Sequence, residues 1–455
     1  ISTIAADELV LIFGSGTFKY NPSGLSRVEF EMKLFQNPGV GGAYEGNWNL
    51  NLITFTDGDE QQPYNFFHFL VAPGALANDY RVDSKGKGYY SPGGVSRTLD
   101  GVVFPPDYVQ SWAATGTGVT VTSSGPQSPD VSATVSVSAS DSVLLLSGFS
   151  VKSSSSGSAR GQFTFKRGST VISSGSTQFI QKICATSANK ARQVTMAFVD
   201  TPGSGSFTYT VAMDKTSGND FTTSSGKRTV LGALVIPTDL LQVTYVTSVT
   251  TVSSTSWTTI ASVTVTTYNT EDSVLLISNV NFSPDSATTT GLFTLYEGEW
   301  TNLGDANMGL QVVRSGVTDE MCLASMTFLR SPGTIGQVTF SIMAKVLNDG
   351  DTFKIGNGGQ ITMLAAITQP QYPSASPTPS PSVKPTVGPT RLPSGKPTPA
   401  PSIAMTSKPS ASPTRSPTFN PTYTPTANPS TIPTFSPSTK PTANPSTVPT
   451  FTPTI

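Results

Sequence analysis

Val131-Ser132-Ala133-Thr134-Val135-Ser136-Val137 alternates apolar and hydroxyl side chains at every second position. A period of two puts one set on each face of an extended strand, as in a sheet with one buried and one solvated face. Val119-Thr120-Val121-Thr122 and Val263-Thr264-Val265-Thr266 repeat the pattern. Gly, Pro and Asn punctuate the runs. No long segment shows the 3.6-residue period of an amphipathic helix, and no apolar run reaches the roughly 18 residues of a membrane span. The body reads as an antiparallel, all-β chain.

Just downstream, Asp141-Ser142-Val143-Leu144-Leu145-Leu146 recurs as Asp272-Ser273-Val274-Leu275-Leu276-Ile277. Gly161-Gln162-Phe163-Thr164-Phe165 recurs as Gly291-Leu292-Phe293-Thr294-Leu295, and Met196-Ala197-Phe198-Val199 as Met326-Thr327-Phe328-Leu329. The offsets are 131, 130 and 130 residues, so one unit has been copied. A weaker copy precedes them. Asp7-Glu8-Leu9-Val10-Leu11-Ile12 matches the opening run. Ser96-Arg97-Thr98-Leu99 matches the closing runs Lys227-Arg228-Thr229-Val230 and Gln360-Ile361-Thr362-Met363. Opening Asp and closing Thr lie 91, 88 and 90 residues apart in the three copies. The expected architecture is three tandem antiparallel β-sandwiches of Ig-like or jelly-roll type, at 1–112, 113–238 and 239–370, followed by an extended polyproline-II tail at 371–455.

The second and third copies are preceded by strand-rich leading segments, 117–139 and 241–267; the first has only residues 1–6. If leading residues supply an edge strand, the first copy starts a strand short, and an open edge is adhesive. A neighbouring chain that filled it by strand addition would make a head-to-tail contact that does not close on itself, hence a homopolymeric filament. The alternative is that residues 1–5 form a short edge strand and the longer segments are linkers.

Chemistry-bearing constellations are sparse, and the sequence assigns no catalytic residue, cofactor or metal ligand. The single histidine, His68, sits within Phe66-Phe67-His68-Phe69, with no second histidine or acid–nucleophile set around it, and reads as structural. Asp57-Gly58-Asp59-Glu60 and Asn348-Asp349-Gly350-Asp351 carry oxygens of the kind that bind Ca²⁺ but lack EF-hand spacing, and read as turns. Cys184 and Cys322 fall at non-equivalent positions of different copies and read as small buried apolar residues. Asn281-Phe282-Ser283 is an N-glycosylation sequon just after an expected strand, which suits a loop. Aromatics from Tyr44 to Trp112 cluster in the first copy, as core, as a subunit interface or as a sugar-binding platform.

The tail obeys one rule. From Pro373 to Pro453 every fourth residue is proline except Met405, and Ser or Thr follows each of these positions. Proline fixes φ and lacks an N–H, so such an array builds neither helix nor central strand and favours polyproline II. A four-residue step in a helix of three residues per turn moves each hydroxyl about 120° around the axis, as a sugar-sheathed rod requires. Candidate O-glycosylation sites are Thr378, Thr386, Thr390, Thr398, Thr414, Thr418, Thr422, Thr426, Thr434, Thr442 and Thr450; a bare linker is the alternative. Six of the 27 basic residues and none of the 28 acidic ones fall in the tail, leaving 21 basic against 28 acidic residues in the body. Neither part has the dense basic patch of a nucleic-acid binder. The chain begins with Ile1, and a targeting segment is expected to have been removed before it.

Ser416-Pro417-Thr418-Phe419-Asn420-Pro421-Thr422 resembles the tails of secreted surface proteins of algae and related protists. Together with the tandem sandwiches it resembles protomers of extracellular glycofibrils found in fresh water. That resemblance implies linear tetrapeptide repeats coated with ordered, covalently attached glycans; it carries no individual functional residue over. The expected function is a non-enzymatic structural subunit of an extracellular filament or surface fibril. Its partners would be copies of itself and covalent glycans, with no nucleic acid and no membrane span. The alternative is a cell-surface adhesin or lectin whose sandwiches bind carbohydrate above a glycosylated stalk.

Overall fold

The computed structural model describes residues 9–20, 28–36, 45–55, 61–71, 80–86, 90–92, 98–104, 110–115, 117–122, 127–128, 131–155, 158–172, 181–185, 191–223, 229–314 and 321–369. Every element among them is a strand, and all pairings are antiparallel. The described residues all belong to one compact unit within 1–380; the tail, with all its candidate threonines, lies outside the described residues.

The first copy contributes β1 (Leu9–Tyr20), β2 (Val28–Gln36), β3 (Glu45–Phe55), β4 (Gln61–Val71), β5 (Tyr80–Gly86), β6 (Tyr90–Pro92) and β7 (Thr98–Phe104). The next strands are β8 (Gln110–Thr115), β9 (Thr120–Val121), β10 (Ser132–Val137), β11 (Asp141–Ser153), β12 (Ala159–Arg167) and β13 (Thr170–Ile172). They continue through β14 (Gln181–Ala185), β15 (Ala191–Asp200), β16 (Gly205–Gly218), β17 (Phe221–Thr223) and β18 (Thr229–Pro237). The third set opens with β19 (Leu241–Val246), β20 (Thr250–Val252), β21 (Thr258–Thr267), β22 (Ser273–Asn279), β23 (Asn281–Pro284), β24 (Gly291–Glu297) and β25 (Thr301–Asn302). It ends with β26 (Gln311–Val313), β27 (Cys322–Leu323), β28 (Met326–Arg330), β29 (Gly336–Val346), β30 (Phe353–Ile355) and β31 (Thr362–Gln369).

The pairing order recurs. The opening strand β1, β11 or β22 lies between a partner strand (β4, β15, β28) and a closing strand (β7, β18, β31). A second sheet pairs β2 with β3 and β5, β12 with β14 and β16, and β24 with β26 and β29. β8 lies along β18 and β19 along β31. Residues 110–115, across which the expected boundary after residue 112 falls, form β8, paired with β18.

The opening strands carry unbroken apolar runs because both of their faces are buried. Val143 and Leu145 join Phe149, Phe163, Val194 and Leu231 in one core, and Val274 and Leu276 join Phe282, Phe293 and Leu364 in another. Leu144, Leu146, Leu275 and Ile277 turn the other way. There they meet Leu9, Leu11, Phe13 and Phe69 of the first copy in a core shared by all three copies. Each fully buried leucine contributes about 1.5–3 kcal/mol relative to exposure. Gly232 of β18 marks a close approach in the shared core, since a Cβ there would collide with the ring of Phe69.

The ladder sets the first copy's register one residue away from its sequence match. Leu11 stands opposite Phe69 and Val102, as Leu144 stands opposite Val199 and Leu234, and Leu275 opposite Leu329 and Ile367. Matching Asp7 to Asp141 would instead equate Leu11 with Leu145, which faces the other core. Likewise Thr98 stands with Val230, not Thr229. A one-residue slip exchanges faces, so burial of Leu9, Leu11 and Phe13 decides the register over the polar end residues. Asp7 itself lies outside the described residues.

The copies also share an ion pair with its signs exchanged. Arg167 Nη1 meets Asp200 Oδ2 at 2.9 Å; one repeat later Arg330 Nε meets Glu297 Oε2 at 2.6 Å.

Candidate functional site

Several expected features are now placed. His68 is buried in β4 opposite Ile12, its ring 6.5 Å from that of Trp112. Trp112, grouped by sequence with the first copy's aromatics, belongs to β8. Asn348 to Asp351 form a turn closed by the Asp351 amide donating to Asn348 O at 3.3 Å, with Gly350 at φ +84°. Asp57 to Glu60 lie outside the described residues. Cys322 is buried, and Cys184 lies in β14 opposite Arg160. The loop expected for Asn281 is not found. Asn281 opens β23, pairs with Leu323 and is 2% exposed, so its amide nitrogen has no room for a sugar in this packing. Among the described residues, no group of three or more His, Cys, Asp or Glu is placed to hold a metal ion. No helix there is long and apolar enough to cross a membrane.

Where the copies meet, three positions spaced 130 residues apart converge. The Thr195 hydroxyl donates to Asn65 O at 2.7 Å, and the Ser325 hydroxyl to Thr195 O at 3.4 Å. Asn65 closes the set onto the third copy, donating from Nδ2 to Thr327 Oγ1 at 3.0 Å. Gln311 Nε2 donates to Tyr64 O at 3.1 Å and Ser325 O at 2.5 Å. Asn279 Nδ2 donates to Ala197 O at 2.7 Å. These bonds satisfy buried backbone carbonyls that water does not reach, and they tie the copies into a single body.

The described strands of the first copy have no counterpart of β8, β9 and β10, or of β19, β20 and β21. On β7, one edge pairs with β1; no described strand pairs with the other. The contrast is visible in one side chain. Leu99, Leu231 and Leu364 occupy the same ladder position, opposite Gly14, Ser147 and Ser278. Leu231 and Leu364 are each 0% exposed, packed in cores that include Ala133 and Val135 of β10 or Val263 and Val265 of β21. Leu99 is 44% exposed.

A second surface feature lies on the outer sheet of the third copy. Trp300, in the β24–β25 turn, is 87% exposed. It borders a groove of about 790 Å³ together with Tyr296, Glu297, Ser262, Thr339 and Ser341. The floor is a hydroxyl ladder, with Ser262 and Ser341 oxygens 2.8 Å apart and Thr264 and Thr339 likewise. Beside it the Lys345 ammonium lies 4.4 Å from the centre of the Trp257 ring, and burial holds its pKa below the usual lysine range.

No family model matches the chain, and no curated protein matches it. A solved structure described as "Structure of infectious bursal disease virus Gx strain" aligns over 80% of this chain and 67% of that one, at 8% identity and a TM-score of 0.15. At that score the likeness carries no argument.

Proposed function

We propose that this chain is a structural, non-enzymatic subunit of a secreted extracellular filament that assembles head to tail through the outer edge of β7. Its body is three tandem β-sandwich domains, the first closing near residue 104, the second spanning 110–238 and the third 239–370. The tail from residue 371 is an O-glycosylated polyproline-II segment. The carrying observation is Leu99, 44% exposed where its two ladder equivalents are 0% exposed. An exposed apolar side chain on a strand edge that no described strand pairs is the kind of surface that proteins cover or charge unless it binds something. Leu99→Lys tests this in the full chain. The expected result is loss of filaments by negative-stain microscopy and sedimentation, with the body still folded by circular dichroism. Filaments of unchanged length would move assembly to another surface.

The groove at Trp300 favours a second reading, an adhesin or lectin. A flat exposed ring beside Tyr296, a carboxylate and a row of hydroxyls suits the apolar and hydroxyl faces of a sugar. Trp300→Ala would then abolish glycan binding and leave assembly intact, whereas Leu99→Lys would do the reverse.

A further inference from the structure

We propose that the strand completing β7 is a short stretch of the tail of a second copy of this chain that carries no sugar and leaves polyproline II there, laid along the edge in extended form through its even-numbered residues. The inference rests on the assembly reading above and names the donor.

The edge dictates what fits. In β31 the Thr368 amide donates to Leu240 O at 2.9 Å, so by alternation Leu364, Ala366 and Thr368 point their backbone groups at the added strand. Their counterparts in β7 are Leu99, Gly101 and Val103. The native occupants of this position follow one pattern. Opposite Leu231 and Leu364 stand Ala113 and Thr244, with Ser111 and Gln242 two residues away on the same face. The intervening residues, Trp112 and Ala114 in β8 and Leu241 and Val243 in β19, pack on the shared core. Alongside Leu231 and Leu364 the occupant thus needs small or polar residues where it bonds to the edge, with an apolar residue admitted at its start as Leu240 is, apolar residues between them, and an unbroken row of N–H groups on the bonding side.

The tail meets all three requirements. In an extended strand, backbone groups point to alternate edges and side chains to alternate faces, so parity sorts both. Every proline from Pro373 to Pro453 is odd-numbered, including Pro379 and Pro399, which fall outside the four-residue register. All the missing N–H groups therefore lie on one edge, the outer edge, where a sheet tolerates proline. The even positions keep every donor. They also carry the Ser or Thr that follows each register position, while the aromatics of the array, Phe419, Tyr423, Phe435 and Phe451, are all odd. Pro417-Thr418-Phe419-Asn420-Pro421-Thr422-Tyr423-Thr424 alternates apolar and polar as Leu241-Gln242-Val243-Thr244 does. In polyproline II the same spacing sorts nothing, because three residues per turn spread it over every face.

Sequence order and charge agree. β8 follows the closing strand β7, and β19 follows β18; the segment that follows β31 is the tail. Asp100 is exposed on β7, and the tail contains six basic and no acidic residues.

Two full-length chains with altered tails test the parity. One adds prolines immediately before register positions, between 376 and 452, all even. The other adds the same number, 14, two residues after them between 375 and 451, all odd, passing over Pro379, Pro399, Phe419, Tyr423, Phe435 and Phe451, while the first passes over 380, 400, 420, 424, 436 and 452. Both leave the described body unchanged. Even prolines remove donors facing β7 and are expected to raise the critical concentration for assembly at least tenfold; odd prolines, within about threefold. Equal shifts, or normal assembly of both, would overturn the tail as donor while leaving the filament reading standing. A natural chain that never assembles would overturn both.

Discussion

The first copy and its two successors share a ladder but differ in the described strands packed against it. Leu231 and Leu364 are sealed by β10 and β21, whereas Leu99, at the same position, meets solvent. The ladder order around β1, β11 and β22 recurs, whereas β8 to β10 and β19 to β21 have no counterpart among the described strands of residues 9–104. Repeat proteins cap or share their terminal units because each unit alone leaves a face uncovered. The shared core covers one face of the ladder; Leu99 lies on the other face, where β10 and β21 cover its equivalents, beside a β7 edge that no described strand pairs.

Truncations at the three equivalent leucines probe this contrast most strongly. Leu231→Ala and Leu364→Ala should each cost about 2–5 kcal/mol in the dispersed chain, as buried leucines do. Leu99→Ala should cost under about 1 kcal/mol, since its side chain is already wet. Urea midpoints decide; equal losses would mean that the first copy is complete alone. The contact between the first and second copies comes next. Gly232→Val should cost about 3 kcal/mol by forcing Phe69 out of the shared core. Gly148→Ala, with nothing near its Cβ, should gain about 0.5–1 kcal/mol from reduced chain entropy. If both glycines tolerate substitution equally, the copies are not packed through Phe69.

Exchanging signs sharpens the comparison of the second copy with the third. Arg167→Glu and Asp200→Arg singly should each destabilise by about 1 kcal/mol, and together they should recover most of it, reproducing the Glu297–Arg330 arrangement. The smallest effect concerns pH. Burial, then the Asp200 carboxylate, raises the Tyr209 phenol above its ordinary range. The folded state thus holds that proton more tightly than the unfolded chain. The contribution is whole below a pH of about 10 and is lost as pH rises above it. Tyr209→Phe should flatten that alkaline decline in thermal unfolding; an unchanged slope would assign it elsewhere, Tyr245 included, whose phenol burial also raises.

Alternation in 131–137 was enough to identify strands, because a half-buried sheet writes its two faces directly into the sequence. The likeness of the second unit to the third was legible for the same reason: Asp141 begins β11 and Asp272, at the matching ladder position, immediately precedes β22. The first copy's register was not, because its polar end residues slipped by one against the buried leucines. Val143 to Leu146 announced burial on both faces, yet nothing in the run says that the second face is shared among copies. The Asn65, Thr195 and Ser325 junction was invisible as a motif: three different residue types, related only by spacing. The Arg167–Asp200 pair and its reversed successor hid because residue matching penalises exchanged charge. Asn281 misled because its sequon says nothing of packing. Trp300 had no equivalent to draw attention to it, as Ser169-Thr170 follows Gly168 where Glu299-Trp300 follows Gly298.

Hydrogen exchange along the closing strands tests the proposed open edge of the first copy most directly. In the dispersed chain, the amides of Leu99, Gly101 and Val103 should exchange quickly, while those of Leu231, Ala233 and Val235 in β18 and Leu364, Ala366 and Thr368 in β31 exchange slowly. In assembled material the β7 amides should slow to the level of β18. Amides of β7 as protected in the dispersed chain as those of β18, or equally fast before and after assembly, would contradict the account.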